Sequence, residues 1–276
     1  MERKLTPNRS KPAGWIVWPG RCIVWVALPF FVFHITPSEA SGATPADAPS
    51  IAKIQESIDR AKAYLYSHKN AQGTWEDSEA PVPGKDAWEP TGGQWGGLTA
   101  LVTYALLSTG DNPRDSKLAP AISFLKTADI RGIYALGLRS QVWSYLPQDT
   151  ATREGVLRDG RLLLAGLKAV GEARGMYGYL VNGMGQDPTH VYDQSVSQYG
   201  VLGIWALEEE GLEVPDQYWA AVDAAWRGHQ LNTGAWSYYA QPRNNYPPTV
   251  TLTAAGVASL LLCDDYLRGR GGLECT

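Results

Sequence analysis

From residue 51 onward, apolar positions recur at helical three- and four-residue steps. Ile51, Ile54, Ile58, Ala61 and Leu65 share one face, and Ser50 stands where an N-cap belongs. The same periodicity predicts helices over 94–109, 116–127, 133–145, 151–171, 193–210, 215–230 and 250–267. Gly110, Pro147, Gly211 and Gly269 follow the ends of four of them, and Pro215 opens another as suits a first helical turn. No alternating strand pattern competes, so the chain is expected to be all-α, with eight helices.

A longer period overlies the helical one. A Gly-x-aromatic element recurs four times: Gly73-Thr74-Trp75, Gly132-Ile133-Tyr134, Gly175-Met176-Tyr177 and Gly234-Ala235-Trp236. The glycines are 59, 43 and 59 residues apart. Each element follows an amphipathic helix and precedes a more uniformly apolar one. The amphipathic helix suits an outer layer with one wet face, and the apolar helix suits an inner layer. Glycine lets the chain turn tightly between them, and the aromatic then closes over the turn. Four stacked pairs would bury a continuous core.

Composition divides the chain before residue 51. Arg3, Lys4, Arg9, Lys11 and Arg21 precede an apolar run, Cys22–Ile35, and the small-residue sites Ser38-Glu39-Ala40 and Ser41-Gly42-Ala43. That order is an export leader over 1–40. The competing reading is an uncleaved anchor, although the run is shorter than the roughly 20 residues a bilayer needs. A linker over 41–50, a repeat domain over 51–268 and a tail over 269–276 complete the division. The chain is expected in the periplasm or outside the cell, and membrane-tethered if the leader is retained.

The net charge is −4 and becomes more negative without the basic leader, which argues against nucleic acid. Of the cysteines, Cys263 and Cys275 follow the leader; they form neither a metal-like spacing nor a disulfide framework, and free thiols are the favoured reading. The chain carries 11 Trp and 14 Tyr, while Phe124 is its only phenylalanine beyond the leader. Such residues pair a large apolar face with a polar handle, so they suit both helix-end pins and wet cavities.

The first and fourth repeat elements, Ala61-x2-Tyr64-Leu65…Gln72-Gly73-Thr74-Trp75 and Trp226…Gln230-x3-Gly234-x-Trp236, resemble degenerate QW motifs of squalene cyclases. Residues 194–207 and 249–256 are similar to the openings of that family's inner helices. The resemblance spans most of 50–268 and extends to the protein prenyltransferases. It implies an α/α toroid in which Gln230, Trp75 and Trp236 lock outer-helix turns. Four outer–inner pairs are fewer than a closed ring of that family holds, so a partial toroid is expected. The catalytic motifs depart: there is no Asp-x-Asp-Asp string, only Glu274-Cys275-Thr276 echoes the oxidosqualene motif, and Leu261 stands where a zinc-ligating Asp would precede Cys263. No cofactor and no metal are expected.

The candidate acids are Asp193, which opens an inner helix, and Asp264 with Asp265 late in the last helix. Their bland readings are an N-cap and a solvated helix end paired with Arg268 or Arg270. If a ligand binds, the starts of inner helices are the expected place, with Gln94, Trp95, Tyr192, Gln198 and Thr249 as candidates. His68, His190 and His229 read as helix-end or loop residues, and Gly183-x-Gly185 lacks the context of a phosphate loop. Two functions follow. The first is a non-catalytic binding or assembly module, whose partner is another protein or a second copy at the open edge, with an apolar or glycan ligand. The second is an exported toroid enzyme acting on an isoprenoid or a glycan. Glycan chemistry would need two carboxylates about 5–9 Å apart, with Asp193 and Asp264 or Asp265 as the pair.

Overall fold

The computed structural model describes residues 49–80, 92–181, 192–239 and 246–269. The leader, most of the linker, His190, Gly183, Gly185 and Cys275 lie outside the described residues. The helices, with ends set largely by caps, are α1 (Ile51–Ser67), α2 (Gly97–Ser108), α3 (Ala119–Thr127), α4 (Ile133–Trp143), α5 (Thr150–Gly166), α6 (Gln194–Glu209), α7 (Asp216–Gly228) and α8 (Val250–Arg268). No β-strand forms among the described residues; Gly132–Leu180 and Leu167–Tyr177 are isolated bridges. The chain is all-α.

Several boundaries differ from the periodicity, three of them for reasons visible in the backbone. The second helix begins at Gly97 rather than Gln94, because Gly96 is left-handed (φ 88°) and a 3₁₀ turn, Gly92–Gln94, precedes it. The fifth ends at Gly166 because Leu167 turns out into its bridge with Tyr177. Pro215 stands at the N-cap of α7 rather than inside its first turn.

Backbone contacts divide the chain into Met1–Ile58 and Asp59–Thr276, so the division falls within α1. In the first unit the Ser50 hydroxyl caps α1 by accepting the Lys53 N–H at 3.3 Å. Ile51 and Ile54 are exposed, and α1 has no fully buried residue, unlike an outer helix with one buried face.

In the second unit α2, α4, α6 and α8 pack against one another in that order. The odd helices lie on this row: α3 against α2, α5 against α4 and α6, and α7 against α8. The buried core runs through both sets, with Trp143, Trp219, Trp226, Trp236 and Tyr177 as its largest fully buried apolar side chains. The last helix, α8, has the length and apolarity of a membrane span. Its contacts with α6 and α7 bury Leu252, Ala255 and Cys263, while Val250, Val257 and Leu261 stay exposed. Cys263 is a buried free thiol, its pKa pushed up by burial to about 12.

Three of the four Gly-x-aromatic elements share one geometry. Gly73, Gly175 and Gly234 are all left-handed, at φ 77°, 83° and 83°. The preceding chain closes a tight turn on itself: Asn70 N–H to Thr74 O and Gly73 N–H to Asn70 O in the first, and Leu231 N–H to Ala235 O and Gly234 N–H to Leu231 O in the fourth. Lys168 and Met176 make the same closure around a longer loop. The aromatic's own N–H then donates to a hydroxyl in the first turn of the next even helix: Trp75 to Thr99, Tyr177 to Ser197, Trp236 to Thr253, at 3.1, 2.9 and 3.2 Å. Both indoles also reach back to a carbonyl of the preceding odd helix, Trp75 to Leu65 and Trp236 to Trp226. The Gln230 amide donates to Gly234 O at 2.8 Å, whereas Asn70 rather than Gln72 holds the first turn.

Gly132 does not belong to this set. It is extended (φ −73°), N-caps α4, and leaves Tyr134 inside the helix rather than over a turn. Glycine is needed there for close approach, since a Cβ would stand 2.2 Å from the Gly93 carbonyl oxygen. In place of the plugging aromatic, Arg139 of α4 reaches back to the end of α3, donating to Leu125 O and Ala128 O.

The shared turns give a graded prediction. Gly234→Ala meets no atom within 4 Å of its new Cβ and should lose only the left-handed penalty of about 1–2 kcal/mol. Gly175→Ala has the same φ, but its Cβ would stand 2.3 Å from the Ala221 carbonyl oxygen, so a further loss of about 1–3 kcal/mol is expected. Urea midpoints of the two variants measure the difference.

Candidate functional site

The first residues of α4 and α6 are held side by side by backbone contact. Gly137 and Gly203 let the two helices approach closely; a Cβ on Gly137 would lie 2.4 Å from the Tyr199 carbonyl oxygen. The segment Tyr177–Val181 crosses these starts, because Ile133 N–H donates to Tyr179 O and Val181 N–H to Arg131 O. Gln194 N–H donates to Tyr238 O at 3.0 Å, which brings in the segment before α8.

Tyrosines from all these segments gather around one carboxylate. Asp193 is buried at the N-cap of α6, where Oδ1 accepts the N–H groups of Ser195 and Val196 at 2.7 and 3.2 Å. Its Oδ2 accepts the Tyr179 hydroxyl at 3.1 Å. Tyr134 shares a 2.6 Å hydrogen bond with the Ser195 hydroxyl, and its ring meets Tyr199 edge-on at 4.9 Å and Tyr179 at 6.2 Å. Tyr238 and Tyr239 each stand 5.7 Å from Tyr246, and Tyr239 meets Tyr192 at 6.1 Å. Tyr192 stacks flat on His229, at 5.0 Å and 4°. Beside Asp193, Gln194 is fully buried, yet neither its Oε1 nor its Nε2 has a hydrogen-bond partner.

Burial sets the electrostatics. It pushes the Tyr134 phenol up to about 12, with Asp193 adding to the rise, and raises Tyr179 as well. Burial likewise raises the Asp193 carboxyl, although the N–H groups of Ser195 and Val196 and the Tyr179 hydroxyl oppose it. Among the described residues, the charged partners that shape these three groups include no lysine or arginine. The raised Asp193 gives a signed prediction. The folded state holds its proton more tightly than the unfolded chain, so this contribution is full below the ordinary carboxylate range and lost as pH rises through the raised folded value. Asp193→Asn keeps a good N-cap. The variant should therefore gain stability relative to the wild type between acid and neutral pH, as paired urea unfolding curves at several pH values would show.

The other expected site residues take different places. Gln94 is tied to the cluster by hydrogen bonds: its amide donates to Tyr179 O at 3.0 Å and accepts Ala135 N–H. Trp95 packs edge-on against Phe124, 5.0 Å away. Thr249 N-caps α8 through Leu252 N–H. Gln198 is half-buried one turn into α6. Asp264 and Asp265 do not join Asp193. Tyr266 beside them donates to Glu209 at the far end of α6, and a sixteen-residue helix separates the two ends by about 24 Å. Asp264 pairs instead with Arg268 at 2.5 Å. His68 lies against Tyr64 at the end of α1, and His229 caps α7. Among the described residues no three His, Cys, Asp or Glu side chains are placed to hold a metal ion.

The sequence reading missed Tyr179, Ser195, Tyr199, Tyr238, Tyr239 and Tyr246, and read Tyr134 as a turn aromatic. The available signal was the crowding of tyrosine before α6 and α8: Tyr177, Tyr179 and Tyr192 in one stretch, Tyr238, Tyr239 and Tyr246 in the other. An open groove of about 700 Å³ runs along α7, lined by Glu172, Arg174, Gln217, His229 and an alanine face, and adjoins Tyr192 through His229. In comparison with known proteins, no protein-family model matches the chain, nor does any curated protein or solved structure.

Proposed function

We propose that the chain is an exported helical-repeat module of the α/α-toroid kind, akin to the squalene-cyclase and prenyltransferase repeats, that binds a ligand without transforming it. The even helices correspond to an inner layer of such a toroid, and α3, α5 and α7 to an outer one. The carrying observation is the gathering of Tyr134, Tyr179, Ser195, Tyr238 and Tyr239 from separate repeat units around Asp193. A polar, aromatic-lined place at one end of a helix row is where a ligand is expected. Among the described residues Asp193 is the one carboxylate that accepts from Tyr134, Tyr179 or Ser195, while Glu172 accepts from Tyr192; that supports binding over hydrolysis, which needs two carboxylates set across one bond.

A thermal-shift screen of glycans and isoprenoids tests this reading. A ligand at about 100 times its Kd should raise Tm by roughly 5–10 °C. The rise should vanish in a Tyr238→Ala, Ser195→Ala double variant and persist in Asp264→Asn. A ligand whose shift ignores the double variant would contradict the placement.

A further inference from the structure

We propose that the tyrosine cluster takes a neutral carbohydrate chain, with Tyr238 and Tyr246 as stacking faces and the Tyr134–Ser195 and Tyr179–Asp193 pairs as hydroxyl anchors. This rests on the binding-module reading above and names its ligand class. Tyr238 and Tyr246 are the exposed rings of the cluster, at 36 % and 47 %, and lie 5.7 Å apart at 64°. An exposed tyrosine ring offers an electron-rich face that suits the C–H face of a pyranose, while its hydroxyl keeps a polar edge.

Hydrogen-bonding chemistry separates a sugar from a hydrocarbon. In the Tyr134–Ser195 pair either oxygen can be the donor. Such a pair can give or take a hydrogen bond, which matches a ligand whose every hydroxyl does both. An isoprenoid tail placed over these groups would strip their water and return no hydrogen bond.

Charge separates a neutral sugar from an anion. Diphosphates and uronates are held by arginine or lysine forks. Among the described residues, the charged groups acting on Tyr134, Tyr179 and Asp193 include neither. Asp193 itself would repel an anion when ionised. With Asp264 and Asp265 at the other end of α6, the glycan should leave uncleaved.

Isothermal titration of the full chain with cellohexaose, chitohexaose, farnesol and farnesyl diphosphate tests the assignment. Binding of at least one of the two oligosaccharides is expected, weakened roughly tenfold or more in Tyr238→Ala and in Tyr246→Ala, with both variants retaining the wild-type circular dichroism and Tm. Chromatography of the recovered oligosaccharide should show intact hexamer. Farnesol or farnesyl diphosphate binding that is sensitive to the same substitutions would overturn the carbohydrate class and leave the binding site standing. Oligosaccharide binding indifferent to both substitutions would overturn the site. Cleaved product would overturn the non-catalytic reading, and failure of both oligosaccharides to bind would overturn this proposal.

Discussion

Asp159→Ala is expected to destabilise the fold by about 3–5 kcal/mol, the range for stripping one partner from a buried ion pair. Arg139 and Asp159 are both fully buried, and their contact is bidentate, at 2.9 and 2.6 Å. Asp159 also accepts the Trp143 indole N–H at 2.9 Å and lies 3.3 Å from Arg158. Removing it leaves a guanidinium buried without its counter-charge; burial already disfavours the charged form of Arg139. The pair stands where the other repeat units place a plugging aromatic, and Arg139 holds the last carbonyls of α3 as the indoles hold theirs. The cluster therefore substitutes for a missing Gly-x-aromatic turn. Replacing both members with apolar residues, Arg139→Met with Asp159→Leu, should cost less than Asp159→Ala alone, because no charge is then left buried. Chemical denaturation of the single and double variants decides it: a double variant less stable than Asp159→Ala would show that the pair does more than fill the gap.

Trp236→Ala is expected to lose about 3–5 kcal/mol, as large-to-small substitutions of a buried tryptophan do. The side chain is 2 % exposed, meets Trp226 at 6.4 Å, and lies so close to α8 that a Cβ on Gly256 would stand 2.6 Å from its ring. Its indole N–H reaches Trp226 O at 2.9 Å. Trp236→Phe keeps most of the apolar surface but orphans that carbonyl, and about 1–3 kcal/mol is expected for leaving it unpaired. The step from Phe to Ala then measures the packing part. If Trp236→Phe were as damaging as Trp236→Ala, the hydrogen bond rather than the ring would be what joins α7 to α8.

Helix number and type were legible because the odd helices carry a 3.6-residue period and the even ones are apolar runs with no alternating strand pattern. The turn glycines were legible as a spacing, but spacing alone cannot tell a left-handed turn from an N-cap. Gly132 and Gly234 look alike in the chain, and only the bridge from Gly132 to Leu180 and the crowding by Gly93 set them apart. The Arg139–Asp159 pair was invisible for a related reason, since charged residues on amphipathic helices read as solvated. At the site, Asp193 was legible as a helix start. The tyrosines around it were not, because they come from loops whose convergence depends on how α4 and α6 pack at Gly137 and Gly203. The separation of Asp193 from Asp264 follows from which end of α6 each occupies, and α6 and α8 had to be placed side by side before that could be seen.

The central claim is that the starts of the even helices form the ligand face. NMR spectra of the chain carrying ¹³C-labelled tyrosine, recorded with and without cellohexaose, test it residue by residue. The ring signals of Tyr134, Tyr179, Tyr238, Tyr239 and Tyr246 should move together on titration, while Tyr64 on α1 and Tyr266 at the far end of α8 should stay. Shifts confined to Tyr266, or no tyrosine shift under saturating ligand, would contradict the account.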